Sequence, residues 1–145
     1  MDENLELLEY IYQNAEMGVF TLTKLLTLIN EKENKIKKVV GEELKKYEMY
    51  LKESKKLIKK SKVDAKPNKM MSKMGASMGI KMEVLKDNSD ASLAHMLTQG
   101  FTMGVIDISS KIDNYKDAVS KDILKLAKEY LKYQQGEIEV LKEYL

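Results

Sequence analysis

With 145 residues, a third of them charged, one Pro, seven Gly and no Cys, the chain is expected to fold as one mostly helical domain with a core of its own. The lack of Cys excludes disulfides and thiolate metal sites, and no uninterrupted apolar run approaches the ~18 residues of a membrane-spanning helix. The net charge of +2 hides an uneven spread: one Lys against six acids in residues 1–31, fifteen against six in 32–73, and nine against eleven in 74–145.

All 25 basic residues are Lys, so sequence-specific nucleic-acid binding, which leans on Arg forks, is not expected. The Lys-rich middle third has the charge to meet phosphate or an anionic surface, but charge runs on helices usually face water. The acidic start, MDENLELLEY, is unlike a secretory leader, and a cytoplasmic location is expected.

In chain order, the first helix is predicted over about 4–29. Leu5, Leu8, Tyr12, Ala15, Val19, Leu22, Leu26 and Ile29 alternate steps of three and four. The segment NEKEN, Asn30 to Asn34, reads as a tight turn into a second helix over about 34–60. Its row is Ile36, Val40, Glu43, Tyr47, Tyr50, Ser54 and Leu57, with Val39, Leu44, Leu51 and Ile58 alongside. The short turn makes these two helices antiparallel neighbours. Residues 61–89 form a long Met-rich crossing segment: Pro67 and a polar run break the second helix, and a short helix or irregular crossing weakened by Gly75 and Gly79 follows. The third long helix is predicted over about 90–115, with Leu93, Leu97, Phe101, Val105, Ile108 and Ile112 inward. Gly100 and Gly104, four apart, leave room for a neighbouring backbone. The last is predicted over about 120–145, its row being Ile123, Ala127, Tyr130, Gln134, Ile138 and Leu141. The fold expected is therefore all-α: a single four-helix bundle over 1–145, two antiparallel hairpins joined by a crossing long enough to traverse it.

This order of elements resembles the ferritin-like carboxylate proteins, in which Glu from two helices joins a Glu-x-x-His motif from each of the other two. Residues i and i+3 share a helix face, so such a pair can reach one metal centre. The resemblance places Glu16 of the first helix, Glu43 of the second, and Gln134 with Glu137 of the last at the ligand positions. Lys46 stands three residues after Glu43, and the third helix offers only Thr102 or Met103, so both His positions and two carboxylate positions depart from the pattern. The segments FTMGVIDISSKI (101–112) and QQGEIEVLKEYL (134–145) are similar to a Met- and His-rich copper-binding bacterial group of that superfamily, with Phe101 and Thr102 where that group carries paired His. The chain also resembles bacterial ferritin-like families to which no activity is assigned.

The resemblance implies a degenerate metal site, with Glu43, Gln134 and Lys46 in a metal-free polar network. The alternative is iron or manganese held by Glu16, Glu43, Gln134 and Glu137, or copper held by the thioethers of Met70, Met71, Met74, Met78 and Met82. The same Met residues suit apolar packing or a partner-binding surface. His95 is the only His, there is no Cys and no Gly-rich phosphate loop, so no catalytic residue is named and no cofactor is expected. The expected role is that of a non-catalytic binding or structural protein, associating as a homodimer or with a protein partner.

Overall fold

The structure, a computed structural model, describes residues 2–145. Among them lie five α-helices and no strand: α1 (Glu3–Leu28), α2 (Lys37–Lys60), α3 (Met70–Lys86), α4 (Asp90–Tyr115) and α5 (Lys121–Leu141). The four long helices fall within three residues of their predicted starts. At the C-terminus, α5 stops at Leu141 and tightens into a 3-10 turn, Lys142–Tyr144.

The start of α2 moves from Asn34 to Lys37 because Asn34 is used elsewhere. Its amide donates to the Asn88 carbonyl at 2.8 Å and to Asp90 Oδ1 at 2.9 Å. The Asp90 carboxylate also accepts from the backbone N–H groups of Lys35 and Ile36, at 3.1 and 3.4 Å. A helix start has N–H groups with no internal partner and favours negative charge, and a residue of α4 supplies both needs for α2. The starts of α2 and α4 therefore share one end of the molecule.

The other end is tied as firmly. Asn4 Oδ1 accepts from the Ser120 N–H at 2.8 Å, and the Tyr115 hydroxyl donates to Glu6. The start of α1 thus meets the end of α4 and the start of α5. Helices α2 and α4 run in the same direction, opposite to α1 and α5, and residues 61–89 traverse the length of the helices between them. Lys62, with φ 61°, turns the chain out of α2 in the left-handed conformation common just beyond helix ends.

The two hairpins close on one core, led by Leu7, Leu8, Ile11 and Ala15 of α1, Val40 and Ile58 of α2, Leu93 and Ile108 of α4, and Ala127 and Tyr130 of α5. Helix α1 buries Leu7, Ile11 and Leu25 outside its predicted row, of which Leu5, Val19 and Leu26 are only partly buried, because it packs against α2, α3, α4 and α5 at once. At Gly18 the ring of Tyr47 lies directly on the helix backbone: a Cβ there would stand 2.8 Å from the ring. That contact sets how closely α1 and α2 approach.

The crossing segment differs most from expectation, since 17 of its residues form the regular helix α3. It lies along α1 with Lys73, Ala76, Ser77, Ile80 and Val84 turned inward, and its lead-in is clipped to α1 by Asn68. The Asn68 amide donates to the Gln13 carbonyl at 2.7 Å and to Glu16 Oε1 at 2.9 Å, and the Asn68 N–H donates to the same oxygen at 2.8 Å.

Candidate functional site

Halfway along the helices, polar side chains replace apolar ones. From α1 comes Asn14; from α2, Glu43 and Tyr47, one turn apart; from α5, Tyr130, Tyr133, Gln134 and Glu137. Helix α4 contributes an absence of side chain. Gly104 faces the Gln134 amide, and a Cβ at that position would stand 2.6 Å from Gln134 Nε2. The Gly pair was expected to admit a backbone, but a side chain occupies the space at Gly104 and nothing lies within 4 Å of a Cβ at Gly100.

Asn14 Oδ1 is the hub of the hydrogen bonds. It accepts from the Tyr130 hydroxyl and from Gln134 Nε2 at 3.2 Å, and the same amide nitrogen reaches the Tyr47 hydroxyl at 3.4 Å. Around them Tyr47, Tyr50, Phe101, Tyr130 and Tyr133 form one aromatic cluster, with Tyr50 and Tyr130 edge to face at 4.8 Å. Edge-to-face and offset pairs of this kind hold rings in fixed orientation.

Glu43 is buried at 1% exposure, and neither carboxyl oxygen meets an N–H or hydroxyl donor. Among the described residues it has no ion-pair partner either. It faces the Glu137 carboxyl, and two acids can hydrogen-bond only if one carries a proton. Desolvation, then the bond to Glu137 and its charge, push the Glu43 carboxyl up to about 10. Burial beside Glu137 therefore favours the neutral, protonated form of the Glu43 carboxyl. Burial likewise pushes the phenols of Tyr47, Tyr130 and Tyr133 above their ordinary value, so all three remain protonated. Gln134 Oε1 and the hydroxyls of Tyr10 and Tyr133 are buried without partners, each costing on the order of 1–3 kcal/mol relative to a paired group.

The residues singled out from sequence divide between this centre and the surface. Glu43, Gln134 and Glu137 come together. Glu16 does not join them: it holds Asn68 and forms an ion pair with Lys73 at 3.2 Å, fastening α3. Desolvation raises its carboxyl, but the Asn68 bonds and the Lys73 ammonium outweigh that and leave it below its ordinary value. Lys46 is exposed and lies over the Tyr133 ring, 5.9 Å from its centroid, instead of pairing with Glu43. Thr102 and Met103 face solvent, as does His95, whose ring contacts Gln99 at 3.4 Å.

The methionines of α3 all point outward. Met70, Met71, Met74, Met78, Met82 and Leu85 are 60–84% exposed, and Met71, Met74, Met78, Met82 and Leu85 form one row at helical spacing. Lys69, Lys81 and Lys86 flank it in the open.

The donors at the centre do not suit a carboxylate-bridged metal pair. Two carboxyls, an amide and phenols stand where such a pair needs several carboxylates and imidazoles. Among the described residues no group of three or more His, Cys, Asp or Glu is placed to hold a metal ion. The thioethers of α3 come from one face of a single helix. Among the described residues, no helix is long and apolar enough to cross a membrane.

Sequence reasoning missed Asn14, Tyr10 and Tyr133. Asn14 carried a signal, because Asn is a poor residue for a helix interior and stands beside the core residue Ala15. The pairs Tyr47/Tyr50 and Tyr130/Tyr133, each i and i+3, mark the faces by which α2 and α5 meet. Comparison with family models, with curated proteins and with solved structures finds no match to this chain.

Proposed function

We propose that this chain is a non-catalytic binding protein on a ferritin-like four-helix scaffold, its metal centre replaced by a proton-sharing hydrogen-bonded network. The parallel course of α2 and α4, with a crossing along the full length between them, supports the ferritin-like reading. The observation that carries the loss of the metal centre is the donor set: Glu43 and Glu137 meet an amide and phenols, while Glu16 is spent on Asn68 and Lys73 and the one His lies at the surface.

The binding surface is the methionine row of α3, whose opposite face is docked on α1. Its occupant is an acidic amphipathic partner helix: the thioethers adapt to an apolar stripe, and Lys69, Lys81 and Lys86 meet acids along its edges. An acidic amphipathic model peptide should bind and lose about tenfold in affinity with Met74→Ser/Met78→Ser. A dimer in sedimentation equilibrium, dissociated by the same pair, would give the surface to a second copy instead, and an unchanged affinity would remove the surface from the proposal.

One observation favours a second reading, a metal-binding storage or redox protein: Glu43 and Gln134 carry buried oxygens without donors, with the half-buried Glu137 carboxyl beside Glu43. Elemental analysis after incubation with Fe(II), Mn(II) or Cu(I), followed by desalting, decides between the two. No stoichiometric metal is expected. Iron or manganese retained by the wild type and lost with Glu43→Ala would overturn the non-metal reading, and copper lost with the Met pair would do the same for α3.

A further inference from the structure

Beneath α3 lies a feature that neither the polar centre nor the methionine row uses. It is a cavity of about 200 Å³ between α1, α2 and α4, roofed by Ile80 of α3. Its walls are Tyr47, Phe101, Leu22, Leu97 and Met96, and no charged side chain lines it. The polar groups at its edge are already committed: the Thr21 hydroxyl donates to the Gly18 carbonyl at 3.3 Å, and the Tyr47 hydroxyl accepts from Gln134.

We propose that this cavity binds a small neutral aromatic molecule, one ring with a short substituent. The reading deepens the non-catalytic binding role and rests on it, adding a ligand class and a place. Size sets the first limit: an enclosed apolar cavity of about 150 Å³ accommodates benzene, and this half-open one of about 200 Å³ has room for one ring with a short substituent. Chemistry sets the second: a site with no free donor, acceptor or charge penalises an ionic ligand and favours an apolar one. Shape sets the third. Tyr47 and Phe101 lie nearly parallel, 22° apart with centroids 5.7 Å from each other, and present aromatic surface to the cavity. The Met96 thioether adds the soft contact that sulfur makes with aromatic rings.

The cavity exists because side chains are missing from its rim. Gly100 lines it, and no atom lies within 4 Å of a Cβ built there, so a larger residue at that position enters open space. The cavity is about half open to solvent, with exposed Gly100 on its rim, and the Asn68 and Lys73 contacts to Glu16 fasten the N-terminal end of α3.

Titration of the ¹⁵N-labelled full chain with toluene tests this by two-dimensional NMR. Saturable shifts are expected at the amides of Ile80, Met96, Leu97, Gly100 and Phe101, with the α5 surface around Lys132 unmoved. Gly100→Leu should weaken toluene binding at least tenfold and leave the thermal midpoint equal or higher, because Leu is the better helix former. Gly100→Ala should give a smaller loss, and keeps the test available if the Leu variant misfolds. Absence of saturable shifts in the wild type, or equal affinity in the folded Gly100 variants, would overturn the proposal. Either failure leaves the metal result standing, whereas metal retention at Glu43 would overturn the non-metal reading and leave the toluene result untouched.

Discussion

Glu43→Gln is expected to stabilise the protein by about 3 kcal/mol at pH 7, and to remove most of its pH dependence between pH 5 and 9. The folded-state carboxyl is raised from 4.5 to about 10, first by burial and then by the bond to Glu137, the charge of Glu137 and that of Glu42. Between those values the folded chain holds a proton that the unfolded chain has released. Stability is therefore highest below the unfolded value and falls as pH rises, by up to about 1.4 kcal/mol per unit, until the folded group also ionises. Neutral pH lies roughly two and a half units into that window, which sets the magnitude. Glutamine has nearly the same shape, carries no titrating proton, and brings an amide donor to the Glu137 side of the site. Glu16 contributes with the opposite sign, since its folded value is lowered. Its stabilisation is lost as pH falls through that lowered value, at the acid end of the range, so the two effects separate. Urea unfolding from pH 5 to 9 reads the Glu43 effect alone, with the wild type weakening steadily and the Gln variant nearly flat. A wild type as stable at pH 8 as at pH 5 would show that Glu43 ionises like an exposed acid.

The centre around Glu43 was partly legible because periodicity reports depth. Glu43 and Gln134 stand in rows with Val40, Tyr47, Tyr130 and Leu141, and all of these are buried. Lys46 fails the same test by one position. The buried face of α2 follows Val40, Glu43, Tyr47 and Tyr50, and a residue immediately before Tyr47 is turned roughly 100° away from it, toward water. For Glu16, helical position was no guide, because its partners Asn68 and Lys73 lie over fifty residues away in sequence. Helix α3 was the hardest to read because it carries two apolar rows on opposite sides. Ala76, Ile80 and Val84 dock, while Met71, Met74, Met78, Met82 and Leu85 do not. The methionine row is the longer of the two, five residues against three. The docked row is the one with small residues that allow close approach to α1, and the one whose Lys73 finds Glu16.

Tyr130→Ala is expected to cost about 4 kcal/mol, against about 1 kcal/mol for Tyr130→Phe. Tyr130 is fully buried, lies edge-on to Tyr50 at 4.8 Å and to Tyr47 at 6.2 Å, and donates its hydroxyl proton to Asn14. Truncation to Ala opens a cavity among rings that α1, α2, α4 and α5 all pin, so little collapse can offset it. Phe keeps the ring and removes only the donor, and Asn14 Oδ1 still accepts from Gln134 at 3.2 Å, so no buried acceptor is orphaned. Chemical denaturation of both variants, with helicity checked by circular dichroism, measures the difference. Equal losses would mean that the hydrogen bond, and not the aromatic cluster, holds the helices at this depth. The double variant Tyr130→Phe/Gln134→Leu then separates the shared acceptor from the packing. Removing both donors leaves Asn14 Oδ1 without a partner, so the pair should cost more than the sum of its parts by about 1 kcal/mol or more. Simple additivity would instead place Asn14 outside the network and leave Glu43 and Glu137 as its only coupled members.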